Sequence, residues 1–222
     1  MRKEENHIKS FVKRSGRLTN SQKIFLNNKN NDKNFFSANE ILDFRNLFEN
    51  NNKCILDIGF GDGKLLISLA KKFPELNFIG LEVYESGIGN ILKQISKENL
   101  ENIKISCADA IIFLTNYVEN NSLYGISLFF PDPWPKKKHY KRRIIDESFI
   151  NLISKKIYKG GFAKVATDWS NYSDYILEIF EKNNNFERTN NIKIFKNRCL
   201  TKFEKRGIKL GHRISELSYK LK

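Results

Sequence analysis

ILDIGFGDG, residues 55–63, is the stretch that decides the fold: a short apolar run closing on glycines at 59, 61 and 63, directly ahead of a helical pattern. Glycine at those places permits positive φ and lets a ligand approach the backbone closely. Cys54 to Ile58 reads as a strand feeding that turn. Downstream, Phe78 to Leu81, Ile103 to Cys107, Tyr124 to Phe130 and Phe162 to Ala166 are further strand candidates. Between and after them, Gly63 to Phe73, Glu85 to Asn99, Ala110 to Val118, Ile145 to Tyr158 and Asn171 to Asn183 show apolar residues recurring at three and four positions. Strands alternating with helices predict a single α/β domain, a Rossmann-like, doubly wound, mostly parallel sheet with helices on both faces. Ser37 and Glu40 have capping-box spacing and predict a helix start before Ile41. The Asn/Lys-rich stretch Asn27 to Asn34 reads as a flexible connector. The expected division is a basic, partly flexible arm over 1–36 and the α/β domain over 37–222, including a basic C-terminal segment.

With 222 residues, 40% of them hydrophobic, the chain can bury a full core. No apolar run approaches the ~20 residues of a membrane span, and the basic N-terminus lacks a signal-peptide apolar segment, so a cytoplasmic protein is expected. Cys54, Cys107 and Cys199 are odd in number and scattered, and read as reduced core thiols. No His/Cys/acid spacing suggests a metal site. The net charge of +14 is localised. Residues 1–35 carry nine Lys/Arg against three Asp/Glu, 136–143 six against none, and 196–222 nine against two, which leaves the other 152 residues at −5. Basic charge confined to two ends and one loop is the footprint of a polyanion-binding surface.

The loop is LFFPDPWPKKKHYKRR, residues 128–143. Leu128 to Phe130 ends a buried strand, and Pro131, Pro133 and Pro135 halt it. Ligands of open α/β sheets bind outside the carboxyl ends of strands, so Asp132 and Trp134 belong at a pocket rim. Asp168, ending the strand AKVATDW, shares that rim or caps the next helix. On the cofactor side, Asp57 stands two residues before the first glycine, Glu82 closes FIGLE, and Asp109 follows KISCA. An acid near the turn suits an α-ammonium, Glu82 can take two ribose hydroxyls, and Asp109 a purine amino group. Each of the latter two alone is equally readable as a helix N-cap. Together with GxGxG spacing the three acids favour S-adenosylmethionine over a dinucleotide.

These residues resemble the tRNA (guanine-N7)-methyltransferase family, class I S-adenosylmethionine enzymes, from about Phe11 onward. The likeness rests on SFVKRSGRL (10–18), ILDIGFGDG, LFFPDPWPKKKHYKRR, ATDW (166–169) and TKFEKRGIKLGH (201–212). It implies Asp57, Gly59, Gly61, Gly63, Glu82, Asp109 and Asp132 at the cofactor, with Asp132 also the catalytic candidate. It implies Lys136, Asp168, Thr201, Lys202, Phe203 and Glu204 at the substrate, and Lys138, His139, Tyr140, Lys141, Arg142 and Arg143 against RNA. The partner it implies is tRNA, methylated in the variable loop; no membrane or metal partner is expected, and a monomer or weak homodimer is. Two departures are visible. Asp57 stands where the family often has Glu, and Pro135 where a histidine is frequent. The competing readings are a catalytically silent RNA binder, which would not need Asp57, Glu82 and Asp109 together, and a methyltransferase for another acceptor. Amino-group enzymes typically carry Asn/Asp-Pro-Pro-aromatic at this strand end, where this chain has Pro-Asp-Pro-Trp.

Overall fold

The computed structural model describes residues 8–12 and 18–222; residues 13–17 of the SFVKRSGRL segment lie outside the described residues. In chain order the elements are α1 (Asn20–Asn27), α2 (Phe44–Phe48), β1 (Lys53–Ile58), α3 (Lys64–Lys72), β2 (Leu76–Leu81), α4 (Glu85–Glu98), β3 (Ile103–Ser106) and α5 (Ala110–Tyr117). Then follow β4 (Leu123–Phe129), α6 (Glu147–Lys156), β5 (Ile157–Thr167), α7 (Ser170–Glu181), β6 (Phe186–Arg188), α8 (Lys202–Lys209) and β7 (Ser215–Leu221). One seven-stranded sheet has the order β3-β2-β1-β4-β5-β7-β6, parallel through β5 and antiparallel for the last two strands. Because the order reverses between β1 and β4, a crevice opens at their carboxyl ends.

Alternation along the strands separates two cores. Cys54, Leu56 and Ile58 of β1 join α5, α6 and α7 on one face, while Ile55 joins α3 and α4 on the other. On the α3/α4 face, Asp57, Ser127, Lys164 and Ser218 fall in one register row across four strands. A buried polar row is costly unless its members pair with one another or with neighbours.

Four local expectations are corrected. The helix expected from Ser37 begins at Phe44, where the Asp43 carboxylate accepts the Arg45 amide at 2.8 Å. Residues ahead of it run extended because the Leu42 amide donates to the Tyr117 carbonyl, docking this strip on α5. The Asn-rich connector is seated, not loose: Asn34 is buried and its side-chain amide donates to the Leu100 and Ile103 carbonyls at 3.1 and 2.9 Å. The Phe35 bridge to Ile105 continues this seat along β3. Cys54 is a core thiol, whereas Cys107 and Cys199 are exposed, Cys107 because β3 has ended at Ser106. Finally, β6, β7 and α8 were not expected, and β5 starts at Ile157 inside the expected helix.

Gly63, the N-cap of α3, has φ 76°, and a Cβ there would lie 2.7 Å from Ile91 of α4. Gly63→Ala is therefore expected to cost about 2 kcal/mol or more, from strain and overpacking together. Urea unfolding checks this; a loss under ~0.5 kcal/mol would show that the turn tolerates a side chain.

Candidate active site

The turn after β1 is held from the neighbouring strand. Glu82, at the end of β2, accepts the amide of Gly61 at 2.9 Å through one oxygen and those of Val83 and Tyr84 at 2.7 and 3.2 Å through the other. The Gly59 amide donates to the Leu81 carbonyl at 2.8 Å, and Gly59 and Gly61 both have positive φ. Asp57 lies beneath this turn, 4% exposed, accepting the Ser127 hydroxyl at 2.6 Å. Burial, partly offset by the Ser127 hydrogen bond and reinforced by Glu82, pushes its pKa up to about 6. Burial likewise raises Glu82; its three amides pull against the shift and Asp132 adds to it.

Two adjoining cavities meet at Gly59, Gly61, Glu82 and Phe203. The apolar one is walled by Ile58, Leu81, Ala108, Ala110, Leu128 and Ile144, has Asp132 at its edge, and is covered by Ser10 and Phe11. The polar one takes Asp57 and Asp62 on one side and Thr201 and Lys202 on the other. A flat apolar slot joined to a pocket floored by an acid fits a purine nucleoside carrying an amino-acid tail. Gly63 does not line either cavity; its role is the packing described above. Asp109 caps α5, one oxygen accepting the Ile111 and Ile112 amides at 2.9 and 3.2 Å, and its neighbours Ala108 and Ala110 face the slot.

The loop after β4 is under backbone strain, with φ 56° at Phe130 and 44° at Trp134. The strain is held by the surroundings. The Phe130 amide donates to the Ala166 carbonyl at 2.7 Å, and the Trp134 indole donates to the Ser10 carbonyl at 3.0 Å. The Tyr84 hydroxyl donates to the Val12 carbonyl at 2.8 Å, so residues 10–12 are strapped over the apolar cavity from both sides. Within the basic run, Lys136, Lys138 and Lys141 are exposed, Arg142 stacks 4.8 Å above Trp134, and His139 meets the same ring edge-on. Desolvation, then the surrounding Lys138, Arg142, Lys136 and Lys141, lowers the His139 pKa. Arg143 is a correction to the expected RNA-facing set. It is 5% exposed, donates to the Pro133 carbonyl and Asn171 at 2.9 Å each, and lies on the rings of Tyr140 and Tyr172. It braces the loop from inside.

The opposite wall comes from the C-terminal segment. Asp168 does not cap α7; its carboxylate pairs with His212 Nδ1 at 2.9 Å. Gly207 makes this seat possible, since a Cβ there would meet Asp168 Oδ2 at 2.8 Å. Thr201 caps α8 in a reciprocal box with Glu204. Glu204 corrects another expectation: at 4% exposure, both its oxygens are engaged by Arg198 at 2.6 and 2.9 Å, so it faces inward and not toward a substrate. Lys202 is exposed and Phe203, 53% exposed, leans over the glycine turn. Reading the sequence alone missed Arg198, the strap at Ser10 and Phe11, and the Asp168–His212 pair, because their partners are 6 to 124 residues away without periodic spacing. Among the described residues no group of three or more His, Cys, Asp or Glu could hold a metal ion, and no helix is long and apolar enough to cross a membrane.

The sheet order, the glycine turn and the paired acids define an S-adenosylmethionine-dependent methyltransferase of class I. Solved structures agree at the level of the fold. They include the 16S rRNA methyltransferase KamB (TM-score 0.56, 13% identity, 83% of this chain and 96% of that one) and an A1408 methyltransferase of the 30S ribosome from an uncultured bacterium (0.53, 17%, 82% and 96%). A family model described as a putative methyltransferase matches residues 51–217. The tRNA (guanine-N(7)-)-methyltransferase of Colwellia psychrerythraea is 41% identical over 96% of this chain and 88% of its own length, and that of Francisella philomiragia 40% over 96% and 94%. The chain belongs to the tRNA (guanine-N7)-methyltransferase family.

The raised Asp57 pKa sets a pH dependence. The native state keeps a proton that the unfolded chain, with an ordinary value of 3.8, releases as pH climbs from about 4 to about 6. Stability of the cofactor-free protein therefore falls through that window, by on the order of 3 kcal/mol from this group. Asp57→Asn should remove that part of the slope and be more stable than wild type at pH 7. Parallel denaturation curves for the two proteins across pH 4–7 would contradict it.

Proposed function

We propose that the protein transfers the methyl group of S-adenosylmethionine to N7 of a guanine in the variable loop of tRNA, in the cytoplasm, as a monomer or weak homodimer. The observation that carries the reading is Asp132: it stands at the edge of the apolar cavity, on a strained loop whose next residues are the exposed basic run. One carboxylate thus adjoins both the cofactor slot and the RNA-facing surface.

On this reading Asp57 receives the cofactor ammonium, Glu82 the ribose hydroxyls on its remaining lone pairs, and Ala108 and Ala110 border the adenine, with Asp109 between them as the cap of α5. When bound, S-adenosylmethionine supplies an electrophilic methyl on a sulfonium. Guanine N7 carries an in-plane lone pair and no proton, so this chain's residues have no base to provide. Their task is alignment, which in model systems is worth up to ~7–11 kcal/mol. Positive charge leaves the sulfonium and develops on the purine, and Asp132 stabilises it there. Asp168, Thr201 and Lys202 fix the guanine edge, and Phe203 stacks on a base drawn out of the helix, since N7 of a stacked A-form guanine faces a groove that side chains cannot enter. Lys136, Lys138 and Lys141, with His139, Tyr140 and Arg142, take phosphates.

The test incubates the chain with methyl-labelled S-adenosylmethionine and an unmodified tRNA transcript and identifies the labelled nucleoside; 7-methylguanosine is expected. Label in another nucleoside would keep the cofactor and overturn the acceptor. Asp132→Ala should lower kcat by at least about 100-fold with tRNA affinity nearly unchanged. Binding should weaken steeply with salt, about 0.9 log units per log unit of salt for each phosphate engaged. A constant that is flat from 50 to 200 mM salt would sink the phosphate contacts.

A further inference from the structure

We propose that Arg198 is a positioning residue for methyl transfer, fixing α8, and with it Thr201, Lys202 and Phe203, against the end of β4 that carries Asp132. The inference rests on the functional reading above. Asn197, at φ 57°, turns the chain so that the Arg198 side chain enters the protein, where it is only 4% exposed. Its guanidinium grips Glu204 of α8 with both terminal nitrogens, at 2.6 and 2.9 Å, and reaches Glu216 of β7 at 2.5 Å. The same group lies 4.7 Å over the ring of Phe129, the last residue of β4 and three residues before Asp132. One side chain therefore touches the helix that presents Phe203 and the strand that presents Asp132.

The seat is anchored at its far end. Glu216 also takes Lys164 of β5 at 2.6 Å, and Lys164 donates to Ser218 at 3.0 Å. Lys164 is next to Ser127 in register, and Ser127 donates to Asp57. Arg198, Lys164, Glu204 and Glu216 balance in charge; the first three are buried, while Glu216 closes the cluster at the surface with its side chain 40% exposed. Glu204 further accepts the Thr201 amide at 3.2 Å, so the Arg198 grip is transmitted to the cap of α8. A planar fork is needed for this: Lys at 198 offers a point charge that can satisfy one carboxylate oxygen but not the paired oxygens of Glu204 together with Glu216. Losing the fork lets α8 shift, and misplacing reacting groups by ~1 Å is enough to cost on the order of 100-fold in rate.

The experiment uses the full chain, wild type, Arg198→Lys and Arg198→Ala, with labelled S-adenosylmethionine and tRNA transcript. Calorimetric titration gives the number of cofactor sites per chain, so that kcat is expressed per competent site. Arg198→Lys is expected to keep one cofactor site, to hold the cofactor Kd and the tRNA KM within about threefold, and to lose at least about tenfold in kcat. Arg198→Ala should lose more; if it does not fold, the lysine variant decides alone. A purely structural role would lower the number of competent sites and leave turnover per site unchanged. That result, or a lysine variant within about twofold of wild-type kcat per site, overturns the proposal. Wild-type protein that places no label in 7-methylguanosine overturns the functional reading first, and so is distinguishable from failure of this inference alone.

Discussion

A single buried carboxylate, Glu82, gathers three backbone amides from two loops, and the sheet edge above β1 and β2 depends on it. Burying a charge is expensive unless it is hydrogen-bonded, and charge-assisted bonds to amides are among the stronger ones available. By taking Gly61 from the turn after β1 and Val83 and Tyr84 from the turn after β2, Glu82 sets the spacing between the loops. Asp57 sits a strand away, more deeply buried, and accepts the Ser127 hydroxyl. Burial raises the pKa of both: three amides pull against the shift at Glu82, and Asp57, with the Ser127 hydroxyl, is pushed up to about 6.

Two arginines play the corresponding part around the loop after β4, one beneath each face of the sheet. Arg143 lies on Tyr172, in the core shared with α5, α6 and α7, and ties the proline loop to α7 through Asn171. Arg198 lies on Phe129, in the core shared with α3 and α4, and ties the same strand end to α8. Guanidinium suits both sites because it stacks on aromatic faces while its fork donates in the plane. Between these struts the strained residues Phe130 and Trp134 are held in place. The strap of residues 10–12, joined to Trp134 and Tyr84, closes over the result.

The elements that carry chemistry were legible where local chemistry dictates them. Glycines at 59, 61 and 63 after a short apolar run mark a tight turn at a strand end, and the alternation of strands with helices needs no tertiary information. Legibility failed for charged side chains. Arg143 sits in the same KKKHYKRR run as the exposed lysines, and nothing in the run marks it as internal. Glu204 occupies a capping-box position, but its engagement by an arginine six residues earlier depends on how the intervening chain turns at Asn197. The Ser37 box failed for a related reason: Leu42 found the Tyr117 carbonyl, and tertiary docking overrode a local cap.

What the sequence determined by itself was the βαβ series, the glycine turn with its acids, and the concentration of positive charge beside a proline-bounded strand end, because each is set by period, backbone freedom or composition. The tertiary structure alone decided which charges face water and which serve as struts. It joined Asp168 to His212, Glu204 to Arg198, and Trp134 to Ser10 across separations of 44, 6 and 124 residues. Such pairings depend on where β7 inserts beside β5 and how residues 10–12 lie over the cavity, and burial, not composition, makes a charged side chain find its partner.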